Sequence, residues 1–309
     1  MGTGMAILVV GSVALDTITT PAGKVEEQLG GSAIYFSLAG CTYQSVRIVG
    51  VVGPDFPVTE KRFLESKGVD LRGLATGQGP TFRWEGIYGP DYGDARTIRT
   101  ELGVFASFQP QLPREFRSTP HVFLANIDPA LQLQVLDQAS DPRWIAVDTM
   151  NLWIERQRDR VLEVLRRVDL VFLNASEAQQ IAGRKNLFEA GRFVLDQGPK
   201  YVVIKMGASG VMALGGPHPF VLPAVPLEDV VDPTGAGDSF AAGMLGYLAS
   251  VNSKLDFESV KLGLAHGSVT ASFAVGGFGV NCFRDLEEKD INERLQYYLS
   301  TNQLSGGGR

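Results

Sequence analysis

The segment Asp232-Pro233-Thr234-Gly235-Ala236-Gly237-Asp238-Ser239-Phe240-Ala241-Ala242-Gly243 sets small residues directly ahead of a carboxylate and an apolar helix. Gly235, Ala236 and Gly237 let the backbone turn tightly with N–H groups pointing outward, and a helix start adds partial positive charge there. Such a bend suits an anion, most simply a phosphoryl group in transfer. Asp238 falls in the first turn, where a carboxylate can take a proton from a substrate hydroxyl while adjacent amides stabilise charge on phosphoryl oxygens. Phosphoryl transfer asks for little beyond positioning, a base and charge neutralisation. Read alone, the same pattern also fits a turn followed by a helix that Asp238 merely caps.

Four other segments carry polar or glycine patterns. Gly11-Ser12-Val13-Ala14-Leu15-Asp16 follows an apolar run, and Gly30-Gly31-Ser32-Ala33 opens a helix. Asn174-Ala175-Ser176-Glu177 reads by itself as a strand end and helix cap. Lys205-Met206-Gly207-Ala208-Ser209-Gly210 reads by itself as a hairpin turn. His266, in Ala265-His266-Gly267-Ser268, has the character of a histidine on a packed helix or of a ligand contact.

In this order, these segments resemble the ribokinase-like, or PfkB-type, carbohydrate kinases over nearly the whole chain. The resemblance implies an α/β fold: a three-layer α/β/α domain with a mostly parallel central sheet, plus a small β-sheet lid. It implies ATP and Mg²⁺, with transfer of the γ-phosphate to a hydroxyl of a small sugar or related polyol, or of a nucleoside. By resemblance Asp238 is the base, and Gly235, Ala236 and Gly237 form the anion-binding bend. Asp16, Gly30 and Gly31 meet the acceptor. Asn174 and Glu177 organise Mg²⁺ through water, Lys205, Gly207 and Gly210 lie beside the nucleotide, and His266 lines the adenine pocket. Asp232 and Thr234 match positions that bind an activating monovalent cation, K⁺, in many relatives. One departure falls on the acceptor side: Tyr35 stands where sugar and nucleoside kinases often carry asparagine.

Two further acceptor contacts are expected. Asn151 follows a central strand in Asp148-Thr149-Met150-Asn151, and polar residues at such strand ends face the ligand crevice. Arg83, in Thr81-Phe82-Arg83-Trp84, could touch substrate or phosphate. Phe82 and Trp84 could stack on a ligand or pack lid against lid, and a homodimer through the lid is expected.

The elements that must position these groups alternate regularly. Ala6 to Val10, Val46 to Val52, Val122 to Ala125, Trp144 to Val147, Leu170 to Leu173 and Tyr201 to Lys205 read as strands between helical stretches, including Ala130 to Ala139 and Glu155 to Val168. This alternation indicates a mostly parallel sheet covered on both faces. Residues 16–29 and 81–102 break it with polar hairpins and are assigned to the lid. Residues 1–15, 30–80 and 103–304 form the main domain, and 305–309 are expected to be a disordered tail.

Composition narrows the alternatives. With 309 residues, 44% hydrophobic, the chain can bury a large core. A net charge of −6 argues against a nucleic-acid binder. Cys41 and Cys282 lack metal-ligand spacing and read as reduced thiols. No leader pattern or membrane-length apolar run is seen, so no membrane association is expected and the chain reads as cytoplasmic. A dinucleotide oxidoreductase is disfavoured, because no Gly-x-Gly-x-x-Gly follows the first strand. A P-loop kinase lacks its motif. A non-catalytic ligand sensor on the same fold stays open.

Overall fold

The computed structural model describes residues 6–251 and 255–302. The 305–309 tail lies outside the described residues. In chain order the strands are β1 (Ile7–Val10), β2 (Ala14–Thr20), β3 (Gly23–Gly30), β4 (Val46–Val52), β5 (Val69–Thr76), β6 (Phe82–Ile87), β7 (Arg96–Glu101), β8 (His121–Leu124), β9 (Trp144–Asp148), β10 (Leu170–Asn174), β11 (Tyr201–Lys205), β12 (Val211–Leu214) and β13 (Phe220–Leu222). The helices are α1 (Ser32–Gly40), α2 (Val58–Ser66), α3 (Pro129–Gln138), α4 (Asn151–Leu165), α5 (Ala175–Ala182), α6 (Leu187–Leu195), α7 (Ala236–Ser250), α8 (Phe257–Ala274) and α9 (Glu288–Thr301).

Nine strands form one sheet in the order β13-β12-β11-β10-β9-β8-β1-β4-β5, parallel except for β12 and β13. Its central strands are apolar on both faces, as a doubly covered sheet requires. Every residue of β1 is fully buried. On one face Ile7, Val9, Phe123, Phe172 and Val203 pack against α1, α7 and α8. On the other, Leu8, Val10, Leu124, Val171 and Val202 pack against α3 to α6. Each such side chain contributes about 1.5–3 kcal/mol by leaving water. A chain of rings crosses the first face. Phe36 stacks on Phe123 at 4.4 Å, Phe123 meets Phe172 edge-on, and Phe172 meets Phe240 edge-on. These rings fix α1 and α7 against the same strands.

A second sheet of four strands, β3-β2-β6-β7, stands apart. Its two hairpins are antiparallel, and β2 and β6 join them in parallel. The polar alternation in the sequence announced both hairpins; the parallel seam between them was not legible.

Two elements depart from the sequence reading. Edge strand β5 was not anticipated. It interrupts its apolar positions with Asp70, Arg72 and Gly73, and a Cβ on Gly73 would sit 2.5 Å from the Ile48 carbonyl oxygen, so this backbone approach needs glycine. Helix α4 begins at Asn151 rather than Glu155. Gln157 leaves helical geometry (φ −140°, ψ 39°) and separates a first turn whose Trp153 indole donates to Asn126 Oδ1 at 2.9 Å.

Helix α1 is buried along its whole length, so its start must be set by backbone. Gly31 supplies it at φ 94°, and a Cβ there would lie 2.5 Å from the Ser12 carbonyl oxygen. Ser12 and Ser32 lock the junction reciprocally: the Ser32 amide donates to Ser12 Oγ at 3.0 Å, and the Ser12 amide to Ser32 Oγ at 3.2 Å. Gly31→Ala should therefore lose about 2 kcal/mol or more, from the left-handed backbone and the backbone clash together. A denaturant midpoint unchanged from wild type would refute the assignment.

Candidate active site

Parallel strands deliver their last residues to one edge of the sheet. Adjacent strands β9, β10 and β11 end at Asp148, Asn174 and Lys205, with Asn174 and Lys205 in direct register. The Lys205 ammonium reaches Asp148 Oδ2 at 2.7 Å. A Cβ on Gly237 would lie 2.9 Å from the same ammonium, so Lys205 also borders the bend ahead of α7.

That bend is built by Gly235, the N-cap of α7, in the left-handed region at φ 74°. No side chain caps the helix. A Cβ on Gly235 would run into the ring of Tyr35, so α1 is the floor on which the bend rests. Ala236 and Gly237 begin the helix, and Asp238 lies in its first turn. The first turn of a helix leaves N–H groups without intrahelical acceptors, so an amide face and a carboxylate share this position.

Asn174 and Glu177 form a capping box on α5. The Glu177 amide donates to Asn174 Oδ1 at 2.8 Å, and the Asn174 amide to Glu177 Oε2 at 2.7 Å. The cap reading and a ligand role are therefore compatible: the box holds the Glu177 carboxylate in place while it stays near Lys205.

The charges are strongly coupled. Burial, then the Asp148 carboxylate, push Asp238 up to about 8, with Lys205 pulling the other way. Burial, then Asp148, likewise push Glu177 up to about 8 against the pull of Lys205. Burial alone would lower Lys205, but Asp148, Glu177 and Asp238 outweigh it and hold the ammonium above its ordinary value. Asp16 is pushed up to about 7 by burial, with the Gly31 amide opposing and Asp232 adding. Several carboxylates thus lean on one ammonium.

These groups suit a magnesium–nucleotide complex. Hard oxygen donors dominate, and the excess negative charge calls for a cation. No cluster of three or more potential metal ligands exists among the described residues.

Asp16 and Gly30, expected at the acceptor, lie on the second sheet. Asp16 lies in β2, buried, against Gly30; a Cβ on Gly30 would collide with its carboxylate. Thr20, further along β2 on the same face, donates to the Val231 carbonyl at 2.8 Å. Tyr88, just past β6, accepts from Thr234 Oγ1 at 3.1 Å. The small sheet therefore rests on the loop before α7. Asp232 is fully buried in that loop, and its carboxylate accepts from the Thr234 and Gly279 amides, both at 2.9 Å.

Several sequence-derived candidates sit differently. Arg83 is in register with Leu15, on the face opposite to Asp16, and it is bound by Asp55 at 2.9 Å and Glu27 at 2.7 Å. Strand alternation turns it to the face opposite Asp16 and Trp84. Asn151, at the start of α4, donates to Gln180 Oε1 at 2.8 Å and lies beside Ser176, so it joins the Asn174 side. His266 stacks on Tyr247 at 4.2 Å, with Nδ1 3.4 Å from the Tyr43 hydroxyl, and burial pushes it down to about 4. Gly207 (φ 56°) faces open space at the turn after Lys205, whereas Gly210 presses against the Leu222 carbonyl. Asp148 and Tyr88 were not singled out from sequence. A carboxylate closing a central strand was the available signal for Asp148; Tyr88 gave none.

Comparisons with known proteins agree with this geometry. Residues 6–281 match the description "pfkB family carbohydrate kinase". A cytidine kinase of Thermococcus kodakarensis is 33% identical over 268 residues, covering 84% of this chain and 93% of that protein. A nucleoside kinase of Methanocaldococcus jannaschii is 29% identical over 180 residues, 58% of this chain and 56% of that protein. The adenosine kinase structure from Sinorhizobium meliloti superposes with a TM-score of 0.79 at 20% identity, covering 95% of this chain and 99% of that one, and shares the fold. The chain belongs to the pfkB carbohydrate kinase family, and its chemistry is ATP-dependent phosphoryl transfer to a hydroxyl of a sugar or nucleoside.

Proposed function

We propose that the chain is a nucleoside kinase in which Asp238 is the general base. The observation that carries the chemistry is the pairing of the Asp238 carboxylate with the uncapped, glycine-built start of α7. The acceptor class rests on the cytidine kinase relative, which matches over most of both chains. Asp238 takes the proton of the acceptor hydroxyl; that oxygen bonds to the γ-phosphorus of ATP, and the bond to the β,γ-bridging oxygen breaks to leave ADP. The amides around Gly235, Ala236 and Gly237 stabilise charge on the phosphoryl oxygens. Asn174 and Glu177 would hold Mg²⁺, which would supply charge neutralisation at the phosphates. Lys205 and the open turn at Gly207 border the nucleotide, and Asp148 fixes the ammonium. Asp16, Gly30 and Gly31 hold the hydroxyls of the acceptor, with the four-stranded sheet as a lid that excludes water.

A potassium ion at Asp232 and Thr234 would have to share Asp232 with two amides. Self-association through the lid would use β7, which is exposed along its whole length, with Ile98 47% exposed.

Asp238→Asn should lower kcat by about 10²- to 10⁴-fold while the thermal shift on nucleotide binding remains. Near-normal turnover in that variant would remove Asp238 as base. In the wild type, kcat/KM should rise with pH towards about 8, since the base must be ionised. A profile flat from pH 6 to 9 would contradict this.

Stability should follow the opposite sign. Asp16, Glu177 and Asp238 bind more protons folded than unfolded between their ordinary pKa values and about 7–8, so they weaken the fold as pH rises through that window. The melting temperature should fall from pH 5 to 8, and Asp238→Asn should be the more stable protein at pH 8. An equal or lower melting temperature for the variant at pH 8 would overturn the charge-crowding account. For the lid, sedimentation at micromolar concentration should show a dimer that Ile98→Glu dissociates; a wild-type monomer would end that assignment.

A further inference from the structure

In β6, Phe82, Trp84 and Gly86 occupy the face that carries Ala14, Asp16 and Ile18 of β2, because the two strands run parallel in that register. Asp16 and Trp84 are direct neighbours across the seam. This face looks onto the cleft: Asp16 is buried against Gly30, Thr20 bonds the loop before α7, and Tyr88 meets Thr234. Of the two aromatics, Phe82 is already engaged, stacked on Phe105 at 5.3 Å with rings 15° apart. Trp84 is not stacked on another ring among the described residues, and it is only partly buried.

A Cβ on Gly86 would lie 2.1 Å from the outermost carbon of the indole's six-membered ring, so the rim of the ring occupies the space beside the glycine two residues on. The indole N–H donates to Thr97 Oγ1 at 3.2 Å on the next strand, which fixes the ring about its remaining torsions. Gly86 thus makes room for the indole, which stays partly exposed.

We propose that Trp84 is a specificity-determining residue, a platform on which the planar base of a nucleoside stacks while Asp16, one strand away, holds the sugar hydroxyls. The proposal rests on the nucleoside kinase reading and extends it. Strands 4.7–4.9 Å apart place the two groups at the separation of a ribose and its base. The chemistry selects flat heteroaromatic acceptors over free sugars and tolerates differences between bases, because every base offers a π-face.

The test compares cytidine and free ribose as acceptors for wild type, Trp84→Leu and Trp84→Phe, with melting temperatures as a folding control. Leucine keeps cover over Gly86 but lacks the flat ring. Trp84→Leu should raise KM for cytidine about tenfold or more, with kcat, KM for ATP and the kinetics with ribose little changed. Trp84→Phe should recover most of the loss. If wild type phosphorylates cytidine and Trp84→Leu does so with the same KM, the platform fails and the nucleoside reading stands. A uniform loss with both acceptors also overturns it, as a structural role. If wild type phosphorylates ribose but no nucleoside, both readings fall.

Discussion

The arrangement turns on a shortage of positive charge. Lys205 is bonded to Asp148 and lies within the influence of Glu177 and Asp238 as well. Removing carboxylates from water without full pairing is costly, and burial beside Asp148 shifts Asp238 and Glu177 toward their protonated forms. A magnesium–nucleotide complex, as proposed, would bring positive charge along with its phosphates. The same shortage gives Asp238 an affinity for protons suited to a base near neutrality.

Rigid elements hold this unfavourable grouping together. Three adjacent strands fix Asp148, Asn174 and Lys205 at their ends. The ring chain from Phe36 through Phe123 and Phe172 to Phe240 ties α1 and α7 to those strands. Tyr35 then supports Gly235 from below, and its own hydroxyl is buried without a hydrogen-bond partner among the described residues. Groups that repel one another stay within reach because the apolar layers leave them nowhere else to go.

Much of the architecture was legible in the sequence. The apolar strands between amphipathic helices set the layers, and the small-residue bend ahead of Asp238 marked the reacting end. Contacts that depend on which face of a strand a residue occupies were not legible. Arg83 and Trp84 are neighbours in sequence, yet alternation sends them to opposite faces, and only the register of β6 against β2 decides which one meets the cleft. The contact of Asn151 with Gln180 was not legible for a similar reason, since Gln180 comes from a helix nearly thirty residues away. Strand β5 escaped notice because Asp70 and Arg72 satisfy each other at 2.6 Å, a local pairing that hides an edge strand within polar sequence.

The parallel seam between β2 and β6 carries one more implication. The small sheet consists of two hairpin excursions that each leave and rejoin the large domain, while Asp148, Lys205 and Asp238 stay on the large domain. On the proposed roles, Asp16 and Gly30 of the small sheet would recognise the acceptor, while the groups of the transfer step would sit on the large sheet's domain. Grafting the two hairpins from a related enzyme would transplant preference for a new compound without rebuilding the reacting centre.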